Sequence, residues 1–150
     1  MNDICFICSD GGHLVEIKRI FKILKDYDSF FVTFQTRHLG KRIEDKKTYF
    51  LPRIKRNPII FAMIFVMEFL ILLKERPRII ISTGAGICIP SFILAKIFGI
   101  KTVYVETFAR IKKPSLTGII LYKLNPDLFF VQWEHHKKFF PKAIYGGNLF

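Results

Sequence analysis

The chain of 150 residues has little cysteine, with three, and half as much acid as base, with 12 Asp and Glu against 24 Lys and Arg. Three cysteines do not make a disulfide framework. Cys5 and Cys8 share one apolar run, where residues three apart point to opposite faces of a strand, so buried free thiols of a reducing compartment are expected. Cys5 and Cys8 have C-x-x-C spacing, but they lie inside an apolar strand, no second Cys pair exists and no His pair is spaced like zinc ligands, so no metal is expected. G-x-x-x-x-G-K-S/T is absent, which excludes a P-loop, and G-x-G-x-x-G is absent, which leaves a dinucleotide fold without support. No leader of the signal-peptide type precedes the first apolar run, so the chain is expected to stay in the cytoplasm. Repeats and low-complexity segments are also missing. The length suits one domain, 1–150, with half the residues apolar and enough core to bury.

The shortage of acid leaves a net charge of +12, which favours acidic partners: nucleic acid, anionic lipid or phosphorylated substrates. Basic clusters fall at 53–56, 74–78 and 109–113. They are dispersed, with no aromatic platform and no basic recognition helix, so nucleic acid ranks below membrane and phosphate.

Along the chain, strand and helix patterns alternate. "DICFIC" (3–8), "FFVTFQT" (30–36), "KTYFLP" (47–52), "RIIIST" (78–83), "KTVYVET" (101–107) and "LFFVQW" (128–133) read as strands, with a last short strand near "AIYGG". Leu14, Ile17, Phe21 and Leu24 set a helical period to about Asp26, and "IPSFILAKIF" and "LTGIILYKL" read as helices. Alternation of this kind, with glycine turns after the first and fourth strands, predicts an α/β domain with a parallel sheet. In such sheets ligands bind at the carboxyl ends of the strands.

One helix is unusual. Asn57 as N-cap and Pro58 at the first turn open a segment, about 58–75, in which 59–73 holds a single charge, Glu68. At 1.5 Å per residue it reaches roughly 22 Å, short of a hydrocarbon core of roughly 30 Å. Either it is wedged in the core of a larger assembly, or it lies in a membrane surface with its basic flanks on anionic headgroups.

The candidate site begins at "CSDGGHLVE" (8–16). Gly11 and Gly12 let a ligand approach the backbone, and the following helix offers unpaired N–H groups to an anion. His13 is either a general base at the mouth of the sheet or a histidine that hydrogen-bonds locally. In "STGAG" (82–86), Gly84 and Gly86 either open room for a ligand or make an ordinary tight turn. Glu106 ends a buried strand, where a carboxylate is costly unless paired or used. Arg110, Lys112 and Lys113 follow, placed for phosphate or headgroups, or else form a solvated basic loop with Glu106 held by Arg110. His135 and His136 read as surface residues without a role.

Together "SDGGHLVE", "ISTGAGICIPSFILAK", "VYVETFARIKKPSLTG", "LFFVQWE" and the terminal "YGG" resemble the bacterial capsule and exopolysaccharide glycosyltransferase subunits. These are similar to the membrane-anchoring subunit of the eukaryotic two-part enzyme that adds the second N-acetylglucosamine to dolichol-linked oligosaccharide. More distantly they resemble the enzyme that glycosylates undecaprenyl-linked muramyl pentapeptide. The resemblance implies a single Rossmann-like domain equivalent to the N-terminal half of a GT-B glycosyltransferase. It implies acceptor binding at the cytoplasmic face of the membrane, with peripheral or monotopic attachment, and a separate donor-binding glycosyltransferase subunit as partner.

The implied reaction moves a sugar from a UDP-sugar to a polyprenyl-diphosphate-linked saccharide, without metal or cofactor. Ser9, Gly11, Gly12, Gly84, Gly86, Arg110, Lys112 and Lys113 would bind the acceptor. His13 would be the base, and Glu106 a rival base or an orienting residue. The alternative is a non-catalytic membrane adaptor that recruits and stimulates the catalytic subunit. Two departures are visible: the first strand follows with no N-terminal transmembrane helix, and Asp10 stands between Ser9 and Gly11 where the family commonly reads Ser-Gly-Gly-His.

Overall fold

A computed structural model describes residues 2–37, 39–53 and 57–149; Ile54, Lys55 and Arg56 of the basic cluster at 53–56 lie outside the described residues. The elements run β1 (Ile4–Cys8), α1 (Gly12–Ile23), β2 (Ser29–Phe34), β3 (Lys47–Leu51), α2 (Pro58–Glu75), β4 (Ile79–Gly84), α3 (Cys88–Phe98), β5 (Lys101–Val105), α4 (Leu116–Lys123), β6 (Leu128–Val131) and β7 (Ile144–Tyr145). The strands form one sheet of seven, ordered β3-β2-β1-β4-β5-β6-β7 and parallel throughout. This is the expected α/β domain.

The two-residue period sorts each strand between two cores. Cys5, Ile7, Phe30, Val32, Ile80, Tyr104, Phe129 and Val131 face the layer of α2, α3 and α4. Ile4, Phe6, Cys8, Phe31 and Ile81 face α1. Cys5 and Cys8 therefore point to opposite faces, and all three thiols are buried and free. Burial pushes each thiol well above its ordinary range, so none is poised as a nucleophile.

α2 starts as its sequence dictates: the Asn57 side chain accepts from the N–H of Ile59 at 2.9 Å and Pro58 occupies the first turn. It ends with Arg76 in the left-handed conformation, φ 47°, ahead of Pro77. Its inner side carries Ile64, Glu68, Ile71 and Leu72 into the core. Its outer side exposes Ile59, Met63, Val66, Phe69, Leu70 and Leu73, a stripe three and four residues apart with no charge in it. Glu68, the one charge of the segment, points inward, where Ser91 Oγ donates to Oε2 and Oε1 is left without a partner. Burial pushes its carboxyl up to about 8. Among the described residues no helix is long and apolar enough to cross a membrane.

Candidate functional site

In a sheet of this order the chain winds one way from β1 to β3 and the other way from β4 onward, leaving a crevice between the carboxyl ends of β1 and β4. Gly11, at φ 77°, turns the chain out of β1 so sharply that α1 begins at Gly12, earlier than the apolar period predicts. His13 thus sits in the first helical turn, over the crevice. His13 Nδ1 lies 2.9 Å from the carbonyl oxygen of Thr83, at the end of β4, and Thr83 Oγ1 donates back to the carbonyl of His13 at 2.8 Å. A carbonyl only accepts, so Nδ1 carries a proton, and in the neutral ring the lone pair is on Nε2. This is the tautomer a general base needs.

Gly84 is what allows the ring to lie there. Its φ of 124° belongs to glycine, and a Cβ at this position would stand 2.9 Å from His13 Cε1. The room that Gly84 provides is filled by the histidine. Around Gly11 and Gly12, by contrast, an added Cβ would meet nothing within 4 Å, so the space above the helix mouth is open. Ser9 Oγ donates to the carbonyl of Asp10, and Asp10 is held by Arg53 at 2.6 Å. The carboxylate that departs from the family motif is therefore paired off to one side. Gly86 lies in the turn into α3 and accepts from the N–H of Ile89.

Glu106 is fully buried at the end of β5. Ser115 N–H donates to Oε1 at 2.7 Å, while Ser115 Oγ and Tyr104 Oη each donate to Oε2 at 3.0 Å. Burial raises its carboxyl above the usual range, opposed by these bonds and by the field of His13. The holder of Glu106 is thus Ser115 with Tyr104, and not Arg110 as the loop composition suggested. Ser115 is also the N-cap of α4, accepting from Gly118 N–H at 2.8 Å. Glu106 in this state anchors the loop 107–115 and the mouth of α4; of the two rival bases, His13 is the one with a part-exposed ring, at 26%.

The sequence reading missed Glu16. It is buried in α1, and its Oε1 accepts from Phe108 N–H at 2.7 Å, Gln132 Nε2 at 3.2 Å and Thr107 Oγ1 at 3.3 Å. Its Oε2 faces His13 Nδ1 at 3.7 Å. The signal was present, since Glu16 lies three residues beyond His13 on the same helical face. His136 also departs from expectation: it is fully buried, because Nε2 donates to the carbonyl of Ile111 at 3.1 Å and the ring packs edge-on to Phe139. With Trp133 Nε1 donating to the carbonyl of Phe108 and its ring stacked on Phe108, this pins the loop after β5 to the end of β6.

His13, Glu16, Thr83, Gly84, Tyr104, Glu106 and Ser115 therefore form one connected group. Arg110, Lys112 and Lys113 stand on the exposed part of the loop that Glu106 and Glu16 anchor, and none is in an ion pair among the described residues. No group of three or more His, Cys, Asp or Glu among the described residues is placed to hold a metal.

A family model described as "Oligosaccharide biosynthesis protein Alg14 like" matches residues 54–149. The protein named "UDP-N-acetylglucosamine transferase subunit ALG14" from Rattus norvegicus is 29% identical, covering 97% of this chain and 82% of its own length. Its namesake in Yarrowia lipolytica is 30% identical, covering 93% of this chain and 77% of its own length. Among solved structures, MurG of Acinetobacter baumannii gives a TM-score of 0.74 at 13% identity, covering 99% of this chain and 44% of that one. A UDP-N-acetylglucosamine 2-epimerase from Rickettsia bellii gives 0.73 at 16% identity, covering 94% of this chain and 41% of that one. The chain thus spans under half the length of these structural neighbours, and the fold it shares with them is that of a GT-B N-terminal half. By the family match and the Yarrowia relative together, this chain belongs to the Alg14-like family of oligosaccharide biosynthesis proteins.

Proposed function

We propose that this chain is the acceptor-side subunit of a two-chain glycosyltransferase, moving a sugar from a UDP-sugar to a polyprenyl-diphosphate-linked saccharide. The observation that carries the reading is the His13 arrangement: Nδ1–H on the Thr83 carbonyl, which in the neutral ring leaves Nε2 as the proton acceptor, next in the chain to the open glycines 11 and 12. A group so placed can take the proton of an accepting hydroxyl. Ser9, Gly11, Gly12, Gly86 and the exposed Arg110, Lys112 and Lys113 would hold the sugar-diphosphate, with Gly84 seating the histidine and Glu106 orienting the loop.

The relatives are named as subunits of a UDP-N-acetylglucosamine transferase, which supports a partner chain that binds the donor and makes N-acetylglucosamine the first sugar to test. The outer stripe of α2, apolar from Ile59 to Leu73, would lie in the cytoplasmic surface of the membrane where the lipid carrier resides. Capsule or exopolysaccharide synthesis is the setting in which we place it; the relatives matched here carry no such term in their names.

The experiment is a tagged pull-down from gently solubilised membranes of the native cell, followed by transfer assays on the isolated complex with radiolabelled UDP-N-acetylglucosamine and an extract of membrane lipid. A stoichiometric second chain is expected, and His13→Ala is expected to keep that chain while lowering transfer at least about 100-fold. Transfer retained in His13→Ala supports the adaptor alternative instead. A chain that comes down alone from the soluble fraction refutes both the partner and the membrane.

A further inference from the structure

Glu16 ties a loop with one oxygen and leaves the other unused. The side chain is 2% exposed, Oε1 takes three donors, and Oε2 is buried with no hydrogen-bond partner, 3.7 Å from His13 Nδ1. A bare carboxylate oxygen shut away from water is costly unless a charge appears beside it. We infer that Glu16 is the positioning residue of His13, its buried Oε2 stabilising the positive ring that forms when Nε2 takes a proton. The inference rests on the reading of His13 as the base.

In that step the acceptor O–H bond breaks and its proton goes to Nε2. The oxygen bonds to the sugar's anomeric carbon, and the UDP oxygen leaves with the electron pair of the old bond. The ring then holds protons on both nitrogens, with Nδ1–H still directed to the Thr83 carbonyl and within reach of Oε2. Glu16 acts in this step through its charge on the ring and is not the proton acceptor. The other titratable groups facing the ring come from β5: Glu106, which feels the His13 charge, and Tyr104, whose hydroxyl lines the same side of Gly84; the contact from β4 is the neutral Thr83 carbonyl.

Glu16→Gln tests this, because the amide keeps an oxygen for Phe108 N–H while removing the charge and placing an NH2 in place of Oε2. In the native complex, assayed with UDP-N-acetylglucosamine and membrane lipid extract, kcat is expected to fall roughly 10-fold or more, with the half-saturating amount of extract changed by less than about threefold. The acid limb of the kcat profile is expected to move to lower pH. The second readout is independent of transfer: in nitrogen-15 NMR of the full chain, the His13 ring takes up its second proton at lower pH in Glu16→Gln than in the wild type. Glu16→Asp, which keeps the charge one methylene further back, restores part of both effects. Thr107→Val, which removes one tie to Oε1 and leaves the charge, changes neither.

A ring titration unchanged in Glu16→Gln and Glu16→Asp overturns the inference, whatever the assay shows. So does Thr107→Val reproducing the loss, since loop geometry would then be the cause. A titration that moves, with transfer indifferent both to Glu16→Gln and to His13→Ala, upholds the coupling and refutes the base reading of His13.

Discussion

Gly118→Ala has an outcome that two opposed effects decide. In an open helix the change gains about 1 kcal/mol. Here the new Cβ would stand 2.0 Å from Glu106 Oε2, 2.9 Å from Glu106 Cδ and 3.0 Å from Ser115 Oγ. Glu106 is fully buried and has no water to retreat into. To make room it must give up bonds from Ser115 and Tyr104, at about 1–3 kcal/mol for a buried group left unsatisfied. Forcing an extra carbon into a packed site adds about 1–3 kcal/mol. Against the helical gain, the net cost is about 1–5 kcal/mol. For a domain of this size that lowers Tm by roughly 2–20 °C.

Thermal unfolding followed by circular dichroism measures it, alone and in a Glu106→Ala background. In that background the contacts with Glu106 are gone and only the 3.0 Å approach to Ser115 Oγ remains, so Gly118→Ala is expected to cost much less than it does in the wild type. A Tm at or above the wild-type value for the single variant would refute the packing of Glu106 over α4.

Three further outcomes are expected. The Glu68 carboxyl, pushed up to about 8 from an ordinary 4.5, keeps in the folded chain a proton that the unfolded chain releases. Its contribution is complete below the unfolded value and is lost as pH rises toward the folded one, at up to about 1.4 kcal/mol per unit. Urea melts at several pH values should show Glu68→Gln losing this slope. Gly84→Ala puts a Cβ at 2.9 Å from His13 Cε1 in a backbone region closed to alanine, so transfer should fall to near the His13→Ala level with only about 1–3 kcal/mol lost in stability. Val66→Asp with Leu70→Asp, both on the exposed stripe of α2, should abolish flotation of the native complex with anionic lipid vesicles while leaving Tm within a few degrees, about 2–4 °C per kcal/mol; unchanged flotation would move the membrane contact elsewhere.

The architecture was legible because each strand is a run of large apolar residues bounded by helix patterns, and the period assigns both faces at once. The caps at Asn57 and Gly99 are local, so α2 and α3 fell where their residues indicated. The site was legible only in part. His13 and Glu106 stand out because a histidine after two glycines, and a carboxylate ending an apolar strand, violate local expectation. What holds them was hidden: Thr83 lies 70 residues from His13, Gln132 lies 116 from Glu16, and no local pattern connects such pairs. Ser115 was read as part of a loop although it caps α4. His136 was misjudged because a charged run, "EHHKK", looks solvated, while the short turn of 3-10 helix over Glu134–Lys138 rotates this one ring inward.

The contact between Glu106 and Gly118 also constrains ancestry. A side chain at 118 and a long acid at 106 occupy the same few cubic ångströms, so glycine is called for at 118 as long as the acid stands at 106. A lineage that acquires alanine at 118 must first have shortened 106, and one that regains the acid must first have restored glycine. The order of the two changes is fixed, because only one of the two intermediates folds without the clash. Descendants of this chain should therefore keep the glycine wherever they keep the acid, whereas the acid can be lost over a glycine that stays.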